Sequence, residues 1–301
     1  MKVLFINNWI HPKNLNSLQN YKNINFTTVG NISDIDEEKL KEFDAIYSPG
    51  KPIDVKRYKN SKFIFGPHLS IFPDNVETIE MMKGPNTIYV QPSEWTVDAW
   101  KTYRIADNLI CNNLNMEVLP FGVDTDKFNN LNDVPRNNKT SVFLYIKYRN
   151  NHDINLIIDF LHKRNIHFKI FSYQQKYSET EYLEYLKQSK YGIWVGGHES
   201  QGFALQEALS CNIPLFVWSV ESMNQTYDYN LDDIKATTIP YWDQRCGEYF
   251  HTPTELDSKF DLFLSKLDTY QPREYVVENL SFDACEMRLM NIIKKLSNEE
   301  E

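Results

Sequence analysis

Residues 191–218 read Tyr191-Gly192-Ile193-Trp194-Val195-Gly196-Gly197-His198-Glu199-Ser200-Gln201-Gly202-Phe203-Ala204-Leu205-Gln206-Glu207-Ala208-Leu209-Ser210-Cys211-Asn212-Ile213-Pro214-Leu215-Phe216-Val217-Trp218. An apolar run of strand length enters a glycine-rich turn. A helix of small and apolar residues comes next, and Pro214 then introduces a second apolar run. Strand, turn, helix and strand in this order form the unit of a parallel sheet. Gly196, Gly197 and Gly202 let the backbone turn tightly and approach a ligand closely. The amides at the helix start, near Gly202, Phe203 and Ala204, have no intrahelical acceptor and make a site for a phosphate group.

The same alternation extends in both directions. Val3–Ile6, Phe26–Val29, Ala45–Tyr47, Lys62–Phe65, Thr87–Val90 and Met116–Leu119 read as strands. A charged helix is expected over Glu37–Phe43, opened by Ser33 and Asp34, and another after Pro92-Ser93. Past residue 140 the strands Val142–Ile146, Phe168–Phe171, Tyr191–Val195 and Pro214–Trp218 alternate with helices. One spans Asp153–His162, one comes after the capping box Ser178-x-x-Glu181, and one starts at Thr252-Pro253-x-Glu255. Residues 129–140 form a polar linker and set the expected boundary. The expected plan is α/β: two Rossmann-like, doubly wound parallel-sheet domains, 1–135 and 136–280, facing a cleft. A last helix in 281–301 crosses back to the first domain.

Composition narrows the partners. A chain of 301 residues with 42% hydrophobic content has material for two packed cores. With 32 basic and 41 acidic side chains, its net charge of -9 excludes coating of nucleic acid or anionic membrane through the overall field. The densest basic stretch, Lys51, Lys56, Arg57, Lys59 and Lys62, reads as a solvated face. Cys111, Cys211, Cys246 and Cys285 are scattered, which suits reduced thiols. Only four apolar residues come after Lys2, too few for a secretory signal, and no run reaches transmembrane length. The expectation is a cytoplasmic protein.

Chemistry concentrates around Glu199 and Glu207. A carboxylate accepts hydrogen bonds from two neighbouring hydroxyls, the way proteins hold a ribose or hexose. Glu207 has Ala204, Ala208 and Cys211 as helix neighbours, so it is expected to be buried and to need partners. The spacing Glu199-x7-Glu207, set in Gly202-Phe203 and Ala208-x-x-Cys211-x-x-Pro214, resembles the donor-site signature of retaining GT-B glycosyltransferases, most nearly glycosyltransferase family four. Phe121-Gly122-Val123-Asp124-Thr125-Asp126-x-Phe128 and Pro92-Ser93-Glu94-Trp95 also resemble segments of that family.

The resemblance implies that Glu207 holds the donor ribose and Glu199 contacts the transferred sugar, with the amides of Gly202, Phe203 and Ala204 beside the diphosphate. Lys147 and Arg149 would neutralise that diphosphate at about 1.5–3 kcal/mol per contact. His68 would reach the donor sugar as a catalytic-site residue, His198 would bond donor or acceptor, and Tyr173 is a candidate stack for the base. The sequence departs from the family in three places. Tyr148-Arg149 stands where Gly-Arg is usual, Ile154 where a lysine is usual, and Asn7-Asn8-Trp9-Ile10-His11 replaces a glycine-rich loop. Asp124-Thr125-Asp126 has metal-binding spacing but lies in the family's loop, so a turn is expected, with no metal or other cofactor. The implied reaction moves a sugar, with retention, from a nucleotide-diphosphate sugar to a glycan or other hydroxyl acceptor. Two other readings stay open: a sugar-nucleotide epimerase of the same fold, and a non-catalytic glycosyltransferase-like binding or scaffold subunit.

Overall fold

The computed structural model describes residues 1–68, 76–102, 104–105, 108–109, 111, 113–129, 135–226 and 234–298. The chain divides into two units: Met1–Gly122 with Phe282–Glu301, and Val123–Ser281. The division therefore falls at Gly122/Val123 and Ser281/Phe282, ahead of the polar 129–140 stretch, of which residues 130–134 lie outside the described set.

In the first unit, strands β1 (Lys2–Ile6), β2 (Asn25–Val29), β3 (Ala45–Ser48), β4 (Phe63–Phe65) and β5 (Thr87–Gln91) accompany helices α1 (Pro12–Gln19), α2 (Val76–Met82) and α3 (Glu94–Thr102). A short ribbon, β6 (Arg104–Ile105) and β7 (Asn108–Leu109), precedes β8 (Met116–Val118). The parallel sheet has the order β2-β1-β3-β4-β5-β8. On one face Leu4, Ile46, Phe63, Phe65 and Tyr89 are buried, and the Tyr89 ring stacks on Trp100 at 4.2 Å. Residues 37–42 form a 3₁₀ helix capped by Asp36 in place of the expected α-helix. Leu40 is its one buried side chain, so no apolar stripe exists to stabilise a longer α-helical face.

The second unit holds β9 (Ser141–Lys147), α4 (Asn151–Lys163), β10 (Lys169–Ser172), α5 (Glu179–Gln188), β11 (Ser189–Gly196), α6 (Phe203–Ser210), β12 (Leu215–Trp218), β13 (Gly247–Phe250), α7 (Leu256–Ser265) and α8 (Pro272–Leu280). Its parallel sheet runs β10-β9-β11-β12-β13. Side-chain alternation splits the core as strand geometry requires. Phe143, Tyr145 and Trp194 pack on one face with α6, and Leu144, Ile193 and Phe216 pack on the other with α7. At Gly192 a Cβ would lie 2.2 Å from the Phe143 ring, so a glycine lets that ring lie against the strand. Strand β13 and helix α8 had no sequence expectation.

The last helix, α9 (Phe282–Asn298), belongs to the first unit. Its buried Glu286 accepts hydrogen bonds from the Ile24 amide at 3.1 Å and from Asn23 Nδ2 at 3.1 Å. At Gly122 a Cβ would meet the Phe282 backbone within 3 Å, so only glycine permits this approach.

Candidate functional site

Both sheets share one topology: the first strand lies second, and the chain reverses direction across the sheet between the first strand and the third. Ligands in open α/β sheets sit outside the carboxyl ends of the strands at that switch point. In the second unit the switch lies between β9, ending at Lys147, and β11, ending at Gly196, and these two residues pair in register. The Gly197 amide donates to the Lys147 carbonyl at 2.7 Å, which carries the pairing one residue into the loop. A Cβ at Gly197 would sit 2.6 Å from Thr226, so the glycine makes room for that side chain. Thr226 Oγ1 accepts from the His198 amide and bonds His198 Nδ1, both at 2.9 Å. The Glu199 amide donates to the Thr237 carbonyl at 2.9 Å.

These contacts aim Glu199 back at the strand end. Its side chain is buried, the residue being 5% exposed, and Lys147 Nζ lies 2.7 Å from its Oε2. Gly202 caps α6 in the left-handed conformation, φ 75°, and contributes no side-chain hydrogen bond to the helix start. The amide end of α6 therefore carries its partial positive charge with a bare glycine in front of it. Glu207, inside α6, is 3% exposed. Its charge acts on Lys127 and on the hydroxyls of Tyr145, Tyr177 and Tyr182. Burial, aided by Glu207 and Glu199, pushes the Tyr177 hydroxyl up to about 12. Tyr145 and Tyr177 share a hydrogen bond of 2.9 Å, and sequence reasoning missed the pair because neither stands in a recognisable motif.

Lys147, His198, Glu199, Gly202, Phe203, Ala204 and Glu207 thus lie on β9, on the loop after β11 and on α6 of one unit. Tyr173 joins them just after β10, with Lys147 Nζ 4.7 Å from its ring centre. Burial and the Lys147 charge lower His198 to about 4, so its imidazole is neutral at pH 7. Arg149 is differently placed. Its Nε donates to Asp153 at 2.6 Å, Nη1 donates to the Gly196 carbonyl at 3.1 Å, and the guanidinium lies over Trp218. It is buried and braces the β9 turn against the end of β11.

His68 is in the first unit, whose switch point lies between β1 and β3. Its amide donates to the Pro49 carbonyl at 3.0 Å, and Nε2 pairs with Asn14 Nδ2 at 2.8 Å. In the tautomer with its proton on Nδ1, the ring accepts that bond at Nε2. Burial and nearby His11 lower His68 to about 4. Trp9, in the loop after β1, meets His68 edge-on at 4.9 Å and is 59% exposed. Gly50 allows this loop to pack closely, since a Cβ there would lie 2.5 Å from the Trp9 carbonyl. Asp124 accepts from the Lys127 amide at 2.8 Å, the contact of a turn. Among the described residues no group of three or more His, Cys, Asp or Glu side chains is placed to hold a metal ion.

The architecture matches solved GT-B structures. The N-terminal domain of Candida albicans trehalose-6-phosphate phosphatase is 10% identical, with 98% of this chain and 97% of that one covered and a TM-score of 0.62. The catalytic domain of Arabidopsis thaliana starch synthase IV, solved with ADP and acarbose, is 11% identical over 86% of this chain and 74% of that one, TM-score 0.50. An alpha-glucosyltransferase solved with UDP-glucose and DNA containing an abasic site is 10% identical over 98% and 99%, also at 0.50. No family model matches the chain, and no curated protein matches it significantly. The chain has the α/β fold of the GT-B glycosyltransferases, and at these identities the likeness establishes fold alone.

Proposed function

We propose that this protein is a retaining glycosyltransferase, resembling family four, which moves a sugar from a nucleotide-diphosphate sugar to a hydroxyl of a glycan or other acceptor. The observation that carries the reading is the pair of buried acids, Glu199 and Glu207, flanking the glycine-capped start of α6 at the switch point of the second sheet. A carboxylate accepts hydrogen bonds from two neighbouring hydroxyls, and a ribose and a sugar both supply vicinal hydroxyls. In this reading Glu207 holds the ribose and Glu199 the transferred sugar. The amides of Gly202, Phe203 and Ala204 face the diphosphate.

The leaving diphosphate gains negative charge as the glycosidic bond breaks. Lys147 and the helix amides stabilise that charge, in place before the reaction begins. Arg149 acts by fixing the turn that carries Lys147. The acceptor hydroxyl attacks from the face the diphosphate leaves, and the departing phosphate takes its proton, so no protein nucleophile is required. The neutral imidazoles of His198 and His68 suit hydrogen bonding to sugar hydroxyls, and the exposed Trp9 ring offers an acceptor a flat apolar face. The proposal includes catalysis without a metal or other cofactor and a cytoplasmic setting, which accords with four cysteines scattered along the sequence. Among the described residues no helix is long and apolar enough to cross a membrane.

The test is incubation with UDP-, GDP- and ADP-sugars, with EDTA present, followed by product analysis by NMR. Release of nucleoside diphosphate with an axial or equatorial configuration preserved in the product supports the proposal. Isomerised nucleotide sugar alone identifies an epimerase. Binding without turnover, for every donor and acceptor tried, favours the scaffold reading.

A further inference from the structure

Tyr148 comes directly after β9 and holds its backbone at φ 48°. For a bulky side chain this left-handed conformation is an outlier, and outliers of this kind gather where a ligand is gripped. Asn165 and Asn212, also left-handed, each come one residue after the cap of a helix, α4 or α6, and close it. Tyr148 closes no helix. Its backbone instead carries the phenol ring to the surface, 40% exposed, with its centre 5.4 Å from that of Tyr173, itself 47% exposed. The two ring planes meet at 56°, so the pair forms an open rim and not a closed slot.

This rim adjoins the polar part of the site. Lys147 lies over Tyr173 and ion-pairs with Glu199. The acids, the lysine and the helix amides match the hydroxyls and phosphates of a nucleotide sugar. The one portion left without a partner is its planar base, and a base stacks on aromatic faces whatever its identity. We propose that Tyr148 is a base-binding residue of the donor site, forming with Tyr173 an aromatic rim on which the nucleobase stacks, and that the strained turn exists to bring its ring there. The inference rests on the donor-site reading of the second unit.

The experiment uses calorimetric titration of UDP, ADP and GDP into the full chain and into Tyr148→Gly, Tyr148→Asn and Tyr148→Phe. Glycine and asparagine both accept the left-handed backbone, and both remove the ring. The expected result is binding weakened about tenfold in both, in the range a lost base stack produces. Tyr148→Phe stays within about twofold of the wild type. Both ring-less variants melt no lower than the wild type, because the strain is relieved. Unchanged affinity in Tyr148→Gly and Tyr148→Asn, or a loss in Tyr148→Phe as large as theirs, overturns the proposal while leaving the donor site standing. A folded wild type that binds none of the three nucleotides refutes the donor-site reading and this inference together.

Discussion

Replacing Lys147 by methionine removes the ion-pair partner of the buried Glu199 side chain. The pair is close, 2.7 Å between Nζ and Oε2, and its two side chains are 21% and 6% exposed. Exposed ion pairs contribute about 0–1 kcal/mol, whereas removing one partner of a fully buried pair costs about 3–5 kcal/mol. The carboxylate here is fully buried and the ammonium partly wet, which places Lys147→Met at about 2–3 kcal/mol. At about 2–4 °C per kcal/mol for a unit of this size, melting falls by roughly 5–10 °C. The double variant Lys147→Met/Glu199→Gln removes both charges, so it recovers most of that loss. Donor affinity behaves differently: Lys147→Met forfeits a charge-assisted phosphate contact, about 10- to 150-fold, and the double variant recovers none of it. Urea and thermal denaturation of the wild type, both single variants and the double variant, at pH 7, measure the cycle. A single variant within 0.5 kcal/mol of wild type (a threshold of roughly the usual surface effect), or a double variant no more stable than Lys147→Met, refutes the reasoning.

Stability should also depend on acid through the two depressed histidines. His68 and His198 sit at about 4 when folded against about 6.5 when unfolded, so the unfolded chain takes up its protons first as pH falls. Stability is complete above about pH 6.5 and declines toward pH 4, by up to about 3 kcal/mol per histidine. Melting curves at pH 7 and 4.5 should show a smaller decline in His198→Asn than in wild type; equal declines contradict the assignment. Gly202→Ala meets no clash, its Cβ being 3.4 Å from that of Glu199, but forces alanine to φ 75°. It should cost about 1–2 kcal/mol in urea denaturation and weaken donor binding. Gly197→Ala drives a Cβ within 2.6 Å of Thr226 and should cost about 1–3 kcal/mol while displacing His198, visible as a shifted imidazole resonance in NMR.

Most of the strands could be anticipated because β1, β3, β4, β5, β9, β11 and β12 are short apolar runs bounded by breakers, the pattern of strands buried on both faces. Strand β13 escaped notice because Gly247-Glu248-Tyr249-Phe250 is short and alternates weakly. Helix α8, Pro272–Leu280, has a Pro start but a feeble apolar stripe, and α9 begins only two residues beyond its end. The acids of the site were readable since Glu199 and Glu207 stand in a glycine-rich turn and a small-residue helix. Other parts depend on contacts between distant positions. His198 is tied to Thr226, 28 residues on, and nothing in the local sequence announces that bond. Arg149 reads as a loop cation; only the fold shows Asp153, the Gly196 carbonyl and Trp218 gathered around it. The positive φ of Tyr148 is likewise a property of the folded turn, in a residue type that gives no warning of it.

The most direct test of the donor site is calorimetry of nucleotide sugars against the wild type and Glu207→Ala, in the absence of divalent metal. A buried acid that holds two ribose hydroxyls contributes about 1.5–3 kcal/mol through charge-assisted hydrogen bonds. The account predicts that at least one UDP-, GDP- or ADP-sugar binds the wild type and that Glu207→Ala, still folded by circular dichroism, binds it at least tenfold more weakly. Equal binding by the two proteins, or no binding of any donor by a folded wild type, would contradict it.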